Sequence, residues 1–376
     1  MVITKLLLKF MKKVRKLLQL IFKKLAQIYF IIIYGKIIYN KKNNVGIVKK
    51  ISKDNYFFKK KYHTYQIKNG RIYNDYVENV AIINNNYLFG KTSFQQVNGR
   101  LLTPNFNSVL KKGTPRIKKK IKGSVLNLAQ GASSANYFHW LFDILPKIYI
   151  CSKNYNISKI NYFYLSEPQN FQVQLLNFFK IKKKKIINSK LYRHIQADKI
   201  ITVDHPWYNK GYFFDEFNHV PKWIVAWLRN NFLKRKKKFY SSKKIFIDRS
   251  DSKSNHSQII NKNQVINFLK KQNFKVYKIA KMNFFKQVYL FWNADFIISA
   301  HGAALANLVF CKHKTKIIEI KPENQPGDYF KKISEINKLK YLCLKNKVQK
   351  NNLKGDMIIF LKDLEKSIKI ANKNIC

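Results

Sequence analysis

Acidic side chains are scarce in this chain. Nineteen Asp and Glu stand against 74 Lys and Arg over 376 residues, a formal net charge of +55. Arginine is scarcer still, at 8, so the positive charge is almost all lysine. A surface built to grip nucleic acid concentrates its charge and uses the planar, bidentate guanidinium. Here Lys, Asn, Ile, Phe and Tyr are raised together and spread along the chain, the mark of a coding bias over the whole surface. A basic nucleic-acid-binding protein is therefore the weakest functional reading, although the charge favours anionic partners generally.

Cysteine is sparse too. Cys151, Cys311, Cys343 and Cys376 form no CxxC or other metal spacing, so they read as free thiols in a reducing compartment, with no metal site. The first forty residues lack a small-residue cleavage site, which argues against a secretory signal. They also lack a long uncharged run: Leu25 to Gly35 covers 11 residues, against the ~20 that span a bilayer. What residues 1–40 do have is apolar runs broken by Lys at helical spacing. That pattern predicts a basic amphipathic helix on an anionic membrane surface. A helix packed on the protein body and a short signal anchor are the alternatives.

Apolar residues make up 46% of the chain, enough for a packed core in each of two domains. The expected division is a basic segment at 1–44, an α/β domain at 45–225 and a second α/β domain at 226–376. In the middle region Val80–Ile83, Tyr87–Phe89, Ser124–Leu128, Asn161–Leu165 and Lys199–Val203 read as strands, Gln169–Phe179 as a helix, and Asn69-Gly70 as a tight turn between strands. The basic run "LRNNFLKRKKKFYSSKK", 228–244, reads as a boundary or linker. The last third alternates more cleanly: strand "KIFID", helix 263–272, strand "FKVYKI", helix 283–292, strand "DFIIS", short helix Ala303–Phe310, strand "TKIIEI", and a closing amphipathic helix in "GDMIIFLKDLEKSIKIANK". Strands alternating with helices over short connections predict a doubly wound, Rossmann-like sheet, with ligand at the carboxyl ends of its strands.

Several residues stand out against that frame. In "SAHGAALAN", His301 and Gly302 follow a strand and precede a helix whose first residues are small. A ligand phosphate could approach that helix start closely, and Asn307 lies a turn further on. The bland reading is tight helix–sheet packing with a satisfied loop histidine. Glu319, in "KIIEIKP", is expected at the carboxyl end of its strand, where a carboxylate can take the hydroxyls of a ribose; an acid paired with one of the many lysines is the alternative. Arg249 follows "KIFID" directly, where its planar fork suits a diphosphate, or an ordinary salt bridge. In "NYFHWLFDILPK", Asn136 can cap a helix, His139 and Asp143 share one face at i and i+4, Trp140 and Phe142 read as core, and Pro146 kinks or closes the helix. A His–Asp pair there can serve as an oriented general base or as a plain structural hydrogen bond.

Taken in order, "NYFHWLFDILPK", "IFIDR…IIN", "ADFIISAHGAALANLVF" and "IIEIKP" resemble the glycosyltransferase family 61 domain, over roughly residues 120 to 325. That family includes bacterial capsular-polysaccharide-type proteins and eukaryotic xylosyl- and N-acetylglucosaminyltransferases. The resemblance implies a GT-B-type fold, two Rossmann-like domains facing across a cleft, and inverting transfer from a nucleotide diphosphate sugar to a glycan or lipid-linked glycan acceptor. It implies that Arg249, Asn261, His301, Gly302, Asn307 and Glu319 hold the donor. His139 and Asp143 would serve the acceptor, with Asp143 as base and His139 orienting it, or His139 itself as base. One departure is that Ser257 and Gln258 stand where family members usually carry Arg, with Lys253 and Lys262 nearby as point charges. This leaves open a catalytically silent scaffold of polysaccharide assembly. The chain has no D-x-D, so neutralisation of the leaving diphosphate is expected from helix N-termini, Arg, Lys and His, without an obligate metal or cofactor. For a bacterial source, the expected location is the cytoplasmic face of the inner membrane.

Overall fold

The computed structural model describes all residues except 1, 42–44, 77–78, 131–135, 167, 235–240, 253–255, 349–353 and 374–376. The middle of the expected basic linker (235–240), Lys253 and Cys376 therefore lie outside the described residues. The chain folds into two sheets.

The five-stranded sheet is parallel throughout. Its spatial order is Lys275–Lys278, Lys244–Asp248, Phe296–Ala300, Lys316–Pro322, Lys340–Asn346. In sequence order that is 2-1-3-4-5, a doubly wound arrangement whose switch point lies between Lys244–Asp248 and Phe296–Ala300. The strands read as continuous apolar runs because both faces are covered. Ile245, Ile247, Ile297 and Ile317 face one core; Phe246, Ile298 and Ile318 face another, closed by Val265, Leu269, Leu364 and Ile368 from outer helices.

The other sheet has twelve strands and is mixed. Ile186–Asn188, Tyr162–Leu165, Lys118–Asn127 and His194–Val203 are mutually parallel; the remaining pairings are antiparallel. The Rossmann-like form expected twice is thus found in the second sheet, while the first departs from it. Asn69-Gly70 is also not the expected turn between paired strands. Tyr62–Lys68 and Arg71–Tyr76 both run antiparallel to His194–Val203, one after the other. Asn69 N–H donates to Asp198 and Gly70 O accepts from Ala197, so the dipeptide kinks a line of strand without reversing it.

A layer of helices lies between the two sheets and shares one core with both. Leu126, Phe163 and Ile201 of the first sheet, Trp140, Trp223, Leu228, Phe284 and Leu305 of the layer, and Ile245 and Ile297 of the second sheet belong to the same buried cluster. The helix Lys222–Phe232 runs across the expected boundary at 225/226. Cys151 and Cys311 are buried free thiols and Cys343 is a half-buried one.

The N-terminal segment is one helix, Val2–Tyr34. From Phe10 onward many of its apolar side chains are exposed, Phe22 by 68% and Ile32 by 77%, while Phe30, Ile31 and Tyr34 are half-buried. The part Phe10–Tyr34 is long and apolar enough, by length and composition alone, to cross a membrane. The uncharged run reads shorter because Lys23 and Lys24 interrupt it.

Candidate active site

Asn136 caps its helix as expected, accepting from Phe138 N–H at 2.9 Å and His139 N–H at 3.4 Å. Residues Trp140–Ile144 form a π-helical turn, and Leu145–Ser152 continue as α-helix. Pro146 therefore does not close the helix. It has no N–H to donate, and the wide turn before it relieves the clash its ring would cause. Trp140 and Phe142 are core, 1% and 0% exposed.

His139 Nδ1 and Asp143 Oδ2 are 2.8 Å apart. Asp143 is 2% exposed. Its Oδ1 accepts from Trp207 Nε1 at 3.0 Å, and Oδ2 also from Gln130 Nε2 at 3.4 Å. Behind it lie His205 and Lys147; Lys147 Nζ donates to Gln130 Oε1. Burial pushes the Lys147 ammonium down to about 8, with Asp143 opposing the shift, and burial holds His205 well below the usual imidazole range. His205 Nδ1 accepts from the backbone N–H of Trp207 and Tyr208, which fixes that nitrogen as unprotonated. His139 is half-buried, and its Nε2 has no hydrogen-bond partner among the described residues. The carboxylate is thus enclosed and the imidazole is the open member of the pair.

At the switch point of the parallel sheet, Arg249 Nη1 donates to the carbonyls of His301 and, at 3.3 Å, His256. The guanidinium lies on Gly302, where an added Cβ would come 2.2 Å from Arg249 Cζ, so any larger residue there displaces it. Burial lowers the Arg249 pKa to about 10, which leaves it charged at neutral pH. Its Nε and Nη2 have no partner among the described residues. Gly302, Ala303 and Ala304 are partly open. The expected short helix follows as a 3₁₀ helix, Ala303–Phe310.

His301 uses both ring nitrogens. Nδ1 is 2.5 Å from Glu319 Oε1, and Nε2 is 2.9 Å from Tyr329 Oη, which accepts from Gln325 Nε2 at 3.1 Å. Glu319 lies mid-strand in Lys316–Pro322, 2% exposed, not at the strand's end as expected. Its second oxygen accepts from Tyr341 Oη. The proton order is consistent when Tyr329 donates to Nε2 and Nδ1–H donates to Glu319.

Two other expected donor residues are spent on the fold. Asn261 Oδ1 accepts from Ile359 N–H at 2.9 Å and its Nδ2 donates to Ile359 O at 2.8 Å. Asn307 is fully buried; its Oδ1 accepts from Tyr137 Oη at 2.6 Å and its Nδ2 donates to Gln287 and Ala304. Ser257 N–H donates to Lys354 O, and Gln258 N–H to Asp356 Oδ1.

The structure thus brings Arg249, His301, Gly302 and Glu319 together at one strand-end crevice. It sets His139 with Asp143 across an aromatic wall of Phe138, Phe213 and Tyr329. Tyr137, Trp207, Gln130, His205, Lys147, Tyr329 and Tyr341 were not legible as site residues. Tyr137 and Lys147 sit inside the "NYFHWLFDILPK" motif, Lys147 four residues after Asp143, and could have been found there; Gln130 lies just ahead of it, and Trp207, His205, Tyr329 and Tyr341 arrive from distant elements.

Residues 137–318 match the family model described as Glycosyltransferase 61. No curated protein matches the chain. Among solved structures it is similar to a flavo di-iron protein mutant from Thermotoga maritima, at 10% identity over 87% of this chain and 99% of that one, with a TM-score of 0.27. A likeness that low carries no argument.

Proposed function

Taking the chain as a member of glycosyltransferase family 61, we propose that it is an inverting enzyme that moves a sugar from a nucleotide diphosphate sugar to a glycan or lipid-linked glycan acceptor of a surface polysaccharide. The observation that carries this reading is Arg249. A half-buried guanidinium whose Nε and Nη2 have no partner among the described residues, at the switch point of a parallel sheet, is suited to a diphosphate. We read the two sheets, with the helix layer they share, as the GT-B-type halves.

Attack begins with the acceptor hydroxyl losing its proton to His139 Nε2. Asp143 holds Nδ1 and stabilises the imidazolium that forms. The new bond forms at the anomeric carbon, on the face opposite the leaving diphosphate, which departs with the bonding electrons. Arg249 and the N–H groups of Ala303 and Ala304 receive the developing negative charge. The Glu319–His301–Tyr329 chain holds the turn that seats Arg249. The Arg249 guanidinium and the backbone donors beside it support a reaction without an obligate metal. The exposed apolar side chains of the Phe10–Tyr34 part of the helix support a peripheral place on an anionic membrane surface, cytoplasmic for a bacterial source.

A second reading, a silent scaffold, has one observation in its favour: Ser257 and Gln258 are tied to the 354–356 segment and offer no guanidinium. Calorimetric titration with UDP, GDP, CMP, ADP and dTDP, with and without Mg²⁺, tests the proposal. Binding of one nucleotide without metal, weakened by Arg249→Ala, supports it. Nucleotide-sugar binding with no turnover on any acceptor selects the scaffold, and no binding at all removes the donor site.

A further inference from the structure

A cavity of about 420 Å³ opens in the first sheet. Its lining includes Gln130, Lys147 and His205, the groups that stand behind Asp143. Lys60, Lys91 and Lys210 line it as well, and Asp204 is the one carboxylate among the described lining residues. Asp204 is already engaged by His63 and Tyr65. In a chain this rich in lysine, several on any surface carry no message. Lys147 is different. It is 6% exposed, and its ammonium has three donors but one hydrogen-bond acceptor among the described residues, Gln130 Oε1. Asp143 favours its charge through space but is already held by His139, Trp207 and Gln130; an anion in the cavity would give the remaining ammonium donors a partner of their own.

The location narrows the anion. Tyr39, five residues past the end of the helix Val2–Tyr34, packs on Gly90, a lining residue; a Cβ on Gly90 would meet Tyr39 Cε2 at 2.8 Å. The cavity therefore lies beside the exit of the helix with the exposed apolar flank. The cations that line it are lysines, which bind phosphate as point charges.

We propose that this cavity binds a phosphate group carried by the acceptor, with Lys147 as its buried counter-ion, so that the hydroxyl to be glycosylated is presented beside the His139–Asp143 pair. The proposal rests on the transferase reading above. The phosphate belongs either to a membrane lipid that carries the glycan or to a soluble phosphorylated glycan.

The test titrates the full chain calorimetrically with inorganic phosphate, a hexose 1-phosphate and a short-chain polyprenyl phosphate, beside the matching hexose and prenol. The phosphates bind and the neutral compounds do not. Lys147→Met weakens phosphate binding ~10-fold or more, the loss of a charge-assisted contact. Should that variant misfold, the double variant Lys60→Gln, Lys210→Gln changes exposed side chains only and is expected to weaken binding ~3-fold. Tighter binding of the polyprenyl phosphate identifies the lipid source; tighter binding of the hexose phosphate identifies the soluble one. Either order sustains the phosphate site. Unchanged affinity in the variants, no phosphate binding, or displacement of phosphate by nucleotide overturns it. Nucleotide binding without phosphate binding would sink this proposal alone; phosphate binding without nucleotide binding would sink the donor reading alone.

Discussion

Tyr137 Oη donates to Asn307 Oδ1 at 2.6 Å, joining the helix that carries His139 to the 3₁₀ helix that follows His301. Burial raises the Tyr137 pKa, so the hydroxyl stays protonated and donating. Both ends are local to a proposed reacting group, so this bond sets the spacing between acceptor and donor sides. Tyr137→Phe leaves a buried carbonyl oxygen unpaired. The expected loss is about 1–3 kcal/mol in denaturant unfolding, together with a fall in kcat at unchanged nucleotide affinity. Wild-type stability in this variant would refute the role.

His139→Ala should lower kcat by ~10²–10⁴, the range for loss of a general base. Asp143→Asn should also lower kcat while flattening the pH–rate profile less, because the imidazole remains. Near-normal turnover in both variants would remove the pair from the mechanism.

Gly302→Ala places a methyl group 2.2 Å from Arg249 Cζ. The guanidinium must leave its seat. Nucleotide affinity is expected to fall ~10-fold or more, with the parallel sheet intact by circular dichroism. Unchanged affinity would mean that Arg249 does not meet the donor.

Lys147 makes stability depend on pH above neutrality. Its folded pKa is lowered from 10.5 to about 8 by burial, while Asp143 opposes the shift; His205 and His139 face the same network. Between about pH 8 and 10.5 the unfolded chain holds a proton that the folded chain has released. The contribution of this group to stability therefore rises with pH across that window, by at most on the order of 3 kcal/mol. Subtracting the pH–stability curve of Lys147→Met from that of the wild type should expose the rise. A flat difference would contradict the burial of the charge.

Phe22→Glu and Ile32→Glu change side chains that are 68% and 77% exposed. Both should reduce co-sedimentation with phosphatidylglycerol vesicles and leave soluble folding unaffected. Equal sedimentation of wild type and variants would argue against a membrane role for that flank.

The last third was readable because parallel strands covered on both faces must be apolar throughout, as "KIFID" and "FIISA" are. The helix Tyr329–Ile336 and the strand Lys340–Asn346 escaped because lysines break their apolar pattern, and the strand lies at a sheet edge. The His139–Asp143 pair was visible because four residues along a helix is a local relation. The pairing of His301 with Glu319 depends on neighbouring strands in register, Ser299 beside Glu319, which no local pattern announces. Asn261 and Asn307 read as ligand residues because an amide suits either a substrate or a backbone, and only the fold decides which. Asn69-Gly70 has hairpin chemistry, but the ten-residue strand His194–Val203 takes the segments on both sides of it along a single edge.

The helices between the two sheets belong to one buried cluster without a seam. A hinge needs a plane across which few apolar contacts pass, and none is offered here. The two sheets can move against each other only as packed helices do, by sliding through small steps. For the proposed transferase this predicts substrate entry along the edges of the shared layer and shear in place of hinge opening.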